Sequence, residues 1–255
     1  MARNGRRLEG KAVIVTGGTR GVGHALVRKL AQEGADVAFS YIKSETAAQE
    51  LISALSGQGG RVIGQRADVR DRGEIDALVA SAVSEFGHID VLVNNAHLAY
   101  DGKWFEDAEW DDFQIELDTL VKGPFNTIQA VLPHMKAQGS GSIVNVGSTM
   151  ALSVRPRHSF YIAAKNALWG LTLSLALEFG PHGIRVNMVT PGPLDTDHNA
   201  AYTPEMMKRL GEDTPLRGRI GTPEEVADAV VLMALDESRL VTGANVLASG
   251  GLSIA

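Results

Sequence analysis

The chain has 255 residues, 44% hydrophobic and 21% charged, with 28 glycines, 9 prolines and no cysteine. That balance suits a packed globular core and excludes a disordered, collagen-like or disulfide-stapled chain, along with a thiolate nucleophile and a cysteine-ligated metal. The formal net charge of −6 argues against nucleic acid or an anionic membrane as partner.

Strand-like apolar runs alternate with helical patterns along the whole length. The run 11–16 (KAVIVT) reads as a buried strand and 22–33 as a helix. Strands at 36–41 and 61–65 follow, each with a helix behind it, at 44–55 and 71–86. A strand at 89–93 leads into a long helical region over 107–138, with a kink expected at Pro124. A strand at 142–146, a helix over 160–178 and a strand at 184–189 come next. Thr222, Pro223 and Glu225 form a capping box for the last helix, and a strand at 244–248 closes the pattern. Several strands are apolar on successive residues, which implies burial on both faces of a parallel sheet. The expectation is one α/β domain over 1–255, a doubly wound parallel sheet with helices on both faces. The apolar runs fall far short of the roughly 20 residues of a membrane helix. The basic start MARNGRRLEG precedes only the short run Ala12–Val15, too short for a secretory core, so a cytoplasmic protein is expected.

The first strand enters a glycine-rich turn, Thr16 to Gly23 (TGGTRGVG), and a helix follows. Glycines let the backbone approach a pyrophosphate, and the helix offers free N–H groups and its positive dipole end. Gly17, Thr19, Arg20, Gly21, Val22 and Gly23 are therefore candidate cofactor contacts. The spacing G-x-x-x-G-x-G differs from the common G-x-G-x-x-G fingerprint, and a glycine turn that binds nothing is the alternative. At the end of the second strand, Ser40, Tyr41, Lys43 and Ser44 are the candidate ribose neighbours, and there is no carboxylate among them. Asp36 lies at the wrong end of that strand. Arg20 and Lys43 can face a 2′-phosphate, which favours NADP over NAD, unless both are solvated surface cations.

Tyr161 and Lys165 stand four apart on a predicted helix and share one face. Ser148 follows the strand at 142–146, at the end where open α/β sheets bind ligands. The trio suits carbonyl reduction. Hydride arriving at carbon leaves charge on oxygen, and that oxygen must take a proton. A free phenol has a pKa of about 10, and a neighbouring ammonium favours its ionised form. Ser148 would donate a hydrogen bond to the substrate oxygen. The competing reading has Ser148 capping a turn and Tyr161 packing within a helix.

With these residues in view, the chain resembles the short-chain dehydrogenase/reductase family, of the ketoacyl-reductase-like type. The matching residues are Thr16–Gly23, Asp68-Val69, Asn94-Asn95-Ala96, Ser148 with Tyr161 thirteen positions on, Lys165, Asn187, Pro191-Gly192 with Thr196, and Gly250-Gly251. The resemblance implies that Asp68 and Val69 contact adenine, and Asn94 and Ala96 the adenosine ribose side. It implies that Pro191, Gly192 and Thr196 hold the nicotinamide end and that Lys165 holds its ribose. It also implies a homotetramer or homodimer and a substrate lid near 194–219.

Two positions depart from the family pattern. The Asn expected in N-L-x-G-x-F is Leu120, which cannot supply the amide of the family's water-linked proton relay, although a backbone carbonyl could still hold that water. His97 replaces a usual Gly, either as part of a substitute relay or as a reshaped pocket wall. Met150, Tyr202 and Met206 join His97 and Leu120 as candidate substrate contacts, with Met207, Trp104 and Leu152 nearby in the pattern. Arg155, Arg157 and His158 could receive an anionic substrate or form an exposed basic loop. The expected function is NADPH-dependent ketone reduction of a small or carrier-bound substrate, with Tyr161 as acid and base. Enoyl thioester reduction and a cofactor-binding sensor or scaffold are the alternatives.

Overall fold

A computed structural model describes residues 6–98, 102–196, 203–216 and 218–252. Seven strands form one parallel sheet in the order β3-β2-β1-β4-β5-β6-β7. They are β1 Ala12–Val15, β2 Asp36–Tyr41, β3 Val62–Arg66, β4 Val91–Asn94, β5 Gly141–Val146, β6 Ile184–Pro191 and β7 Asn245–Ala248. The helices are α1 Gly21–Gln32, α2 Glu45–Leu55, α3 Arg72–Phe86, α4 Trp110–Leu117, α5 Gly123–Gln138, α6 Ser159–Phe179, α7 Pro204–Glu212 and α8 Pro223–Ala234. The doubly wound sheet and its single domain match the sequence-based expectation.

The strand pleat divides the core in two. In β1, Val13 and Val15 face one helical layer, with Leu26 and Leu30 of α1 and Val230 and Val231 of α8. Ala12 and Ile14 face the other, with Leu78 of α3, Val131 of α5 and Phe179 of α6. All four residues of β1 are buried, as a central parallel strand requires. Each fully buried aliphatic side chain contributes about 1.5–3 kcal/mol relative to exposure.

The helix ends carry the expected signals. Asp71 Oδ1 accepts from Glu74 N at 3.0 Å to start α3, and Gly87 at φ 85° ends it. Thr222 and Glu225 cap α8 reciprocally, as the sequence predicts.

One element differs. The helical region expected over 107–138 is broken into a 3-10 turn at Phe105–Asp107, α4, a π-helical turn at Asp118–Lys122, and α5. Pro124 lies in the first turn of α5, where it opens a helix; the interior proline is Pro133. The break therefore falls at the π turn, just before Pro124.

Chain order reverses direction between β1 and β4, which are neighbours in the sheet. That switch point opens a crevice at the carboxyl ends of the strands. The loops after β1, β2, β3, β4, β5 and β6 all reach it.

Candidate active site

The crevice is a cleft of about 890 Å³, within the usual range for a ligand pocket. At its centre lies the turn after β1. Gly17 has φ 72° and Gly21 φ 50°, both in the left-handed region. A Cβ on Gly23 would stand 1.9 Å from the Gly17 carbonyl oxygen, so only glycine lets α1 start this close. The loop after β4 braces the turn. Asn95 Nδ2 donates to the carbonyls of Thr16 and Gly17 at 2.9 and 3.1 Å, and Thr16 Oγ1 accepts from the N–H groups of Asn95 and Ala96. Ser40 Oγ accepts from Gly17 N at 3.1 Å. The result is a backbone cradle at a helix N-terminus, the kind of site that holds a pyrophosphate.

Around the cradle, Thr19, Arg20, Gly21, Val22 and Gly23 line one wall. Ser40, Tyr41, Lys43 and Ser44 border it after β2, and Asp68 and Val69 after β3. Arg70 forks onto Asp68, with Nη2 to Oδ2 at 2.6 Å, and holds its carboxyl below the usual carboxylate range. Asp36 sits at the opposite end of β2, ion-paired with Arg61 Nη2 at 2.5 Å. No carboxylate of β2 thus reaches the cleft.

Asn94 is placed differently from Ala96. Ala96 lines the cleft, whereas Asn94 is buried beneath it. Thr127 Oγ1 donates to Asn94 Oδ1 at 2.6 Å, Asn94 Nδ2 to Asn145 Oδ1 at 2.9 Å, and Asn145 Nδ2 to Thr172 Oγ1 at 2.9 Å. This buried chain ties α5, β4, β5 and α6 together. Asn187 Oδ1 accepts from Ala244 N and its Nδ2 donates to Val241 O, which sets the approach to β7.

Ser148, Tyr161 and Lys165 meet on the cleft's inner wall. Ser148 follows β5, and its Oγ accepts from Met150 N at 3.2 Å. It therefore caps a short turn while bordering the cleft. Lys165 is buried, donates to the Val146 carbonyl at 2.6 Å, and holds its ammonium 5.6 Å from the Tyr161 ring centre. Burial pulls the Lys165 pKa down to about 8, against an opposing pull from Glu116.

His97 borders the cleft, with its ring centre 5.0 Å from that of Tyr161. Its Nε2 lies 3.9 Å from Oε2 of Glu116, on α4. Glu116 is only 3% exposed, and burial pushes its carboxyl up to about 7 although Lys165 opposes the rise. The sequence reading passed over this residue. The available signal was its spacing: Glu116, Thr119 and Leu120 share one helical face, and all three are buried.

Leu120 is 2% exposed and does not line the cleft. With Thr16, Asn94, Thr119 and Lys165 it borders a separate cavity of about 10 Å³, close to the size of one water. Pro191, Gly192 and Thr196 line the cleft after β6, as do Pro193 and Leu194. Met150 lines it; Trp104, Leu152 and Met206 do not, and each is about half exposed. Tyr202 lies outside the described residues. Arg155 and His158 border the cleft, and burial and the two neighbouring arginines lower the His158 pKa. Arg157 instead donates to the Gly102 carbonyl at 2.9 Å.

At the foot of the expected lid, α7 is capped by Thr203, whose Oγ1 accepts from Met206 N at 3.2 Å. Leu216 N donates to the Gly250 carbonyl at 2.9 Å. A Cβ on Gly250 would meet Thr214 at 2.6 Å, so Gly250 permits a close approach to the segment that follows α7.

Comparison with known proteins supports this architecture. Residues 17–253 match a family model described as Enoyl-(Acyl carrier protein) reductase. The chain is 35% identical over 244 residues to the 3-oxoacyl-(acyl-carrier-protein) reductase FabG of Staphylococcus aureus, covering 95% of this chain and 98% of that one. It is 38% identical over 248 residues to the Thermotoga maritima enzyme of the same name, covering 97% and 100%. Among solved structures, a short-chain dehydrogenase/reductase from Serratia marcescens superposes with a TM-score of 0.90 at 38% identity, covering 97% of this chain and 99% of that one. With a doubly wound sheet, a glycine cradle at its switch point and relatives matched over nearly their full length, the chain belongs to the short-chain dehydrogenase/reductase family and is an NAD(P)-dependent oxidoreductase of ketoreductase-like type.

Proposed function

We propose that the protein uses NADPH to reduce the ketone of a 3-oxoacyl thioester, small or carrier-bound, to the 3-hydroxy product. The observation that carries this reading is the buried Lys165 ammonium beside the Tyr161 ring, on a cleft wall shared with Ser148. A reduced nicotinamide, when bound, supplies the hydride. The glycine cradle suits the pyrophosphate, and Thr196, Pro191 and Gly192 border the far end of the same cleft. Ser148 and Tyr161 are the hydrogen-bonding groups for the substrate oxygen. Tyr161 gives its hydroxyl proton to that oxygen as charge develops there. The ammonium of Lys165 favours the phenolate left behind.

NADP is favoured over NAD by charge. Arg20 and Lys43 border the cleft where the adenosine ribose would lie, and Asp36 is held away by Arg61. A 2′-phosphate placed there gains charge-assisted contacts. Replacing both Arg20 and Lys43 with alanine should weaken NADPH binding by roughly 10–100-fold and leave NADH binding nearly unchanged, as read by nicotinamide fluorescence. Equal losses for the two nucleotides would refute the assignment.

The direct test of the chemistry is Tyr161→Phe. The expected outcome is a fall in kcat of about 100–10,000-fold with the NADPH Kd unchanged. Unaltered turnover would remove Tyr161 from the proton transfer. Enoyl thioester reduction is the second reading, because the matching family model carries that description. In that reaction Tyr161 would protonate an enolate instead of an alkoxide.

The working form is proposed to be a homotetramer or homodimer. Leu173 and Leu177 of α6 are 41% and 82% exposed, and Leu247 on the edge strand β7 is 37% exposed. A second copy of the chain packed on α6 and β7 would bury them.

A further inference from the structure

The catalytic wall has a second buried ionisable group behind it. Glu116 projects from the last turn of α4, and its Oε2 has no hydrogen-bond partner although the side chain is almost wholly enclosed. A buried carboxyl oxygen left without a bond costs free energy, and such a group calls for an explanation. His97 Nε2, from the loop after β4, lies 3.9 Å from that oxygen, and the Lys165 ammonium of α6 acts on it electrostatically. Of the other acids on its segment, Asp112 is engaged by Lys103 Nζ at 2.6 Å and Asp118 by Gln114 Nε2 at 3.0 Å, while Asp111 is exposed. Position 120, one turn on, offers only hydrocarbon.

We propose that Glu116 is the proton-relay carboxyl that recharges Lys165, and through it Tyr161, during carbonyl reduction, with His97 as its link to the cleft. The inference rests on the reductase reading above. The proton balance is closed. Tyr161 O–H breaks as the substrate oxygen gains a proton. The phenolate then takes a proton from the Lys165 ammonium, and the resulting amine takes one from the Glu116 carboxylic acid through an intervening water, since Lys165 Nζ itself bonds the Val146 carbonyl and forms no direct ion pair with Glu116. The carboxylate recovers its proton from the His97 imidazolium, after rotation closes the 3.9 Å gap to hydrogen-bond distance. His97, which borders the cleft, is refilled from solvent. No atom in the relay changes oxidation state. Burial raises the Glu116 carboxyl and lowers the Lys165 ammonium, so the two proton affinities move toward each other. The water-sized cavity against Lys165 adds a polar site beside the same ammonium.

The test is Glu116→Gln, which keeps the shape and removes the titration. The expected result is a kcat lower by about 10–100-fold, with KM and the NADPH Kd unchanged. Wild-type kcat should decline above about pH 7, where Glu116 loses its proton, and in Glu116→Gln that limb should go, leaving only the loss of the Lys165 ammonium at higher pH. A purely packing role would not alter the pH profile in this way. Infrared titration of the whole protein supplies a readout independent of turnover. A protonated carboxyl band should titrate near neutrality in the wild type, be absent in Glu116→Gln, and move to higher pH in Lys165→Met. Wild-type kcat and pH profile in Glu116→Gln, or no carboxyl titrating near neutrality in the wild type, would overturn the relay while leaving the reductase reading intact. Should the wild type reduce no carbonyl at all, the reductase reading fails and the relay through Tyr161 falls with it, whatever the band shows.

Discussion

Lys165 and Glu116 are buried ionisable groups, and each bears on stability as well as on the proposed chemistry. The Glu116 carboxyl rises from 4.5 to about 7 on folding. Between those values the folded state binds more protons than the unfolded chain, so stability falls as pH climbs through that window. Lys165 drops from 10.5 to about 8, so the folded state binds fewer protons there and stability rises over that alkaline range. Glu116→Gln should therefore be more stable than the wild type at pH 8, on the order of 2 kcal/mol, and gain little at pH 5. Urea midpoints at the two pH values check this, and identical pH slopes in the two proteins would contradict it. The residues Ser148, Tyr161 and Lys165 were legible in the sequence because their spacing and the strand before Ser148 define one site. Glu116 was not, because it stands among Asp111, Asp112 and Asp118 and reads as part of a solvated acidic face. Only the packing of α4 against α6 shows that it points inward.

At the scale of elements, the strands were readable because parallel strands buried on both faces are continuous apolar runs. The long helix was readable only in part. A π turn leaves no mark in hydrophobic periodicity, and Pro124 drew the expected kink to itself although it belongs to the first turn of α5. The strand order, with β1 between β2 and β4, was not legible in the sequence, because no single residue encodes which strands pair. In the proposed function, cofactor binding depends most tightly on the glycine turn. Gly23→Ala forces a methyl group against the Gly17 carbonyl, and the start of α1 must shift. That variant should keep its far-ultraviolet dichroism and lose NADPH affinity by at least about 10-fold. Wild-type affinity would show that the cradle is not where the nucleotide binds.

For the whole molecule, the exposed leucines of α6 and β7 predict association. Leu177→Glu should shift the sedimentation coefficient toward a smaller species, and an unchanged coefficient would argue against that face as the contact. The cleft joins all six strand ends from β1 to β6, so the nucleotide cradle and the Ser148–Tyr161–Lys165 wall share one cavity. The central claim is ketone reduction at Tyr161 with NADPH, and a matched pair of acyl thioesters tests it most directly. Offered separately with NADPH, the 3-oxoacyl thioester should be converted to its 3-hydroxy product while the enoyl thioester of the same chain length is left intact. Consumption of the enoyl thioester alone would contradict the account.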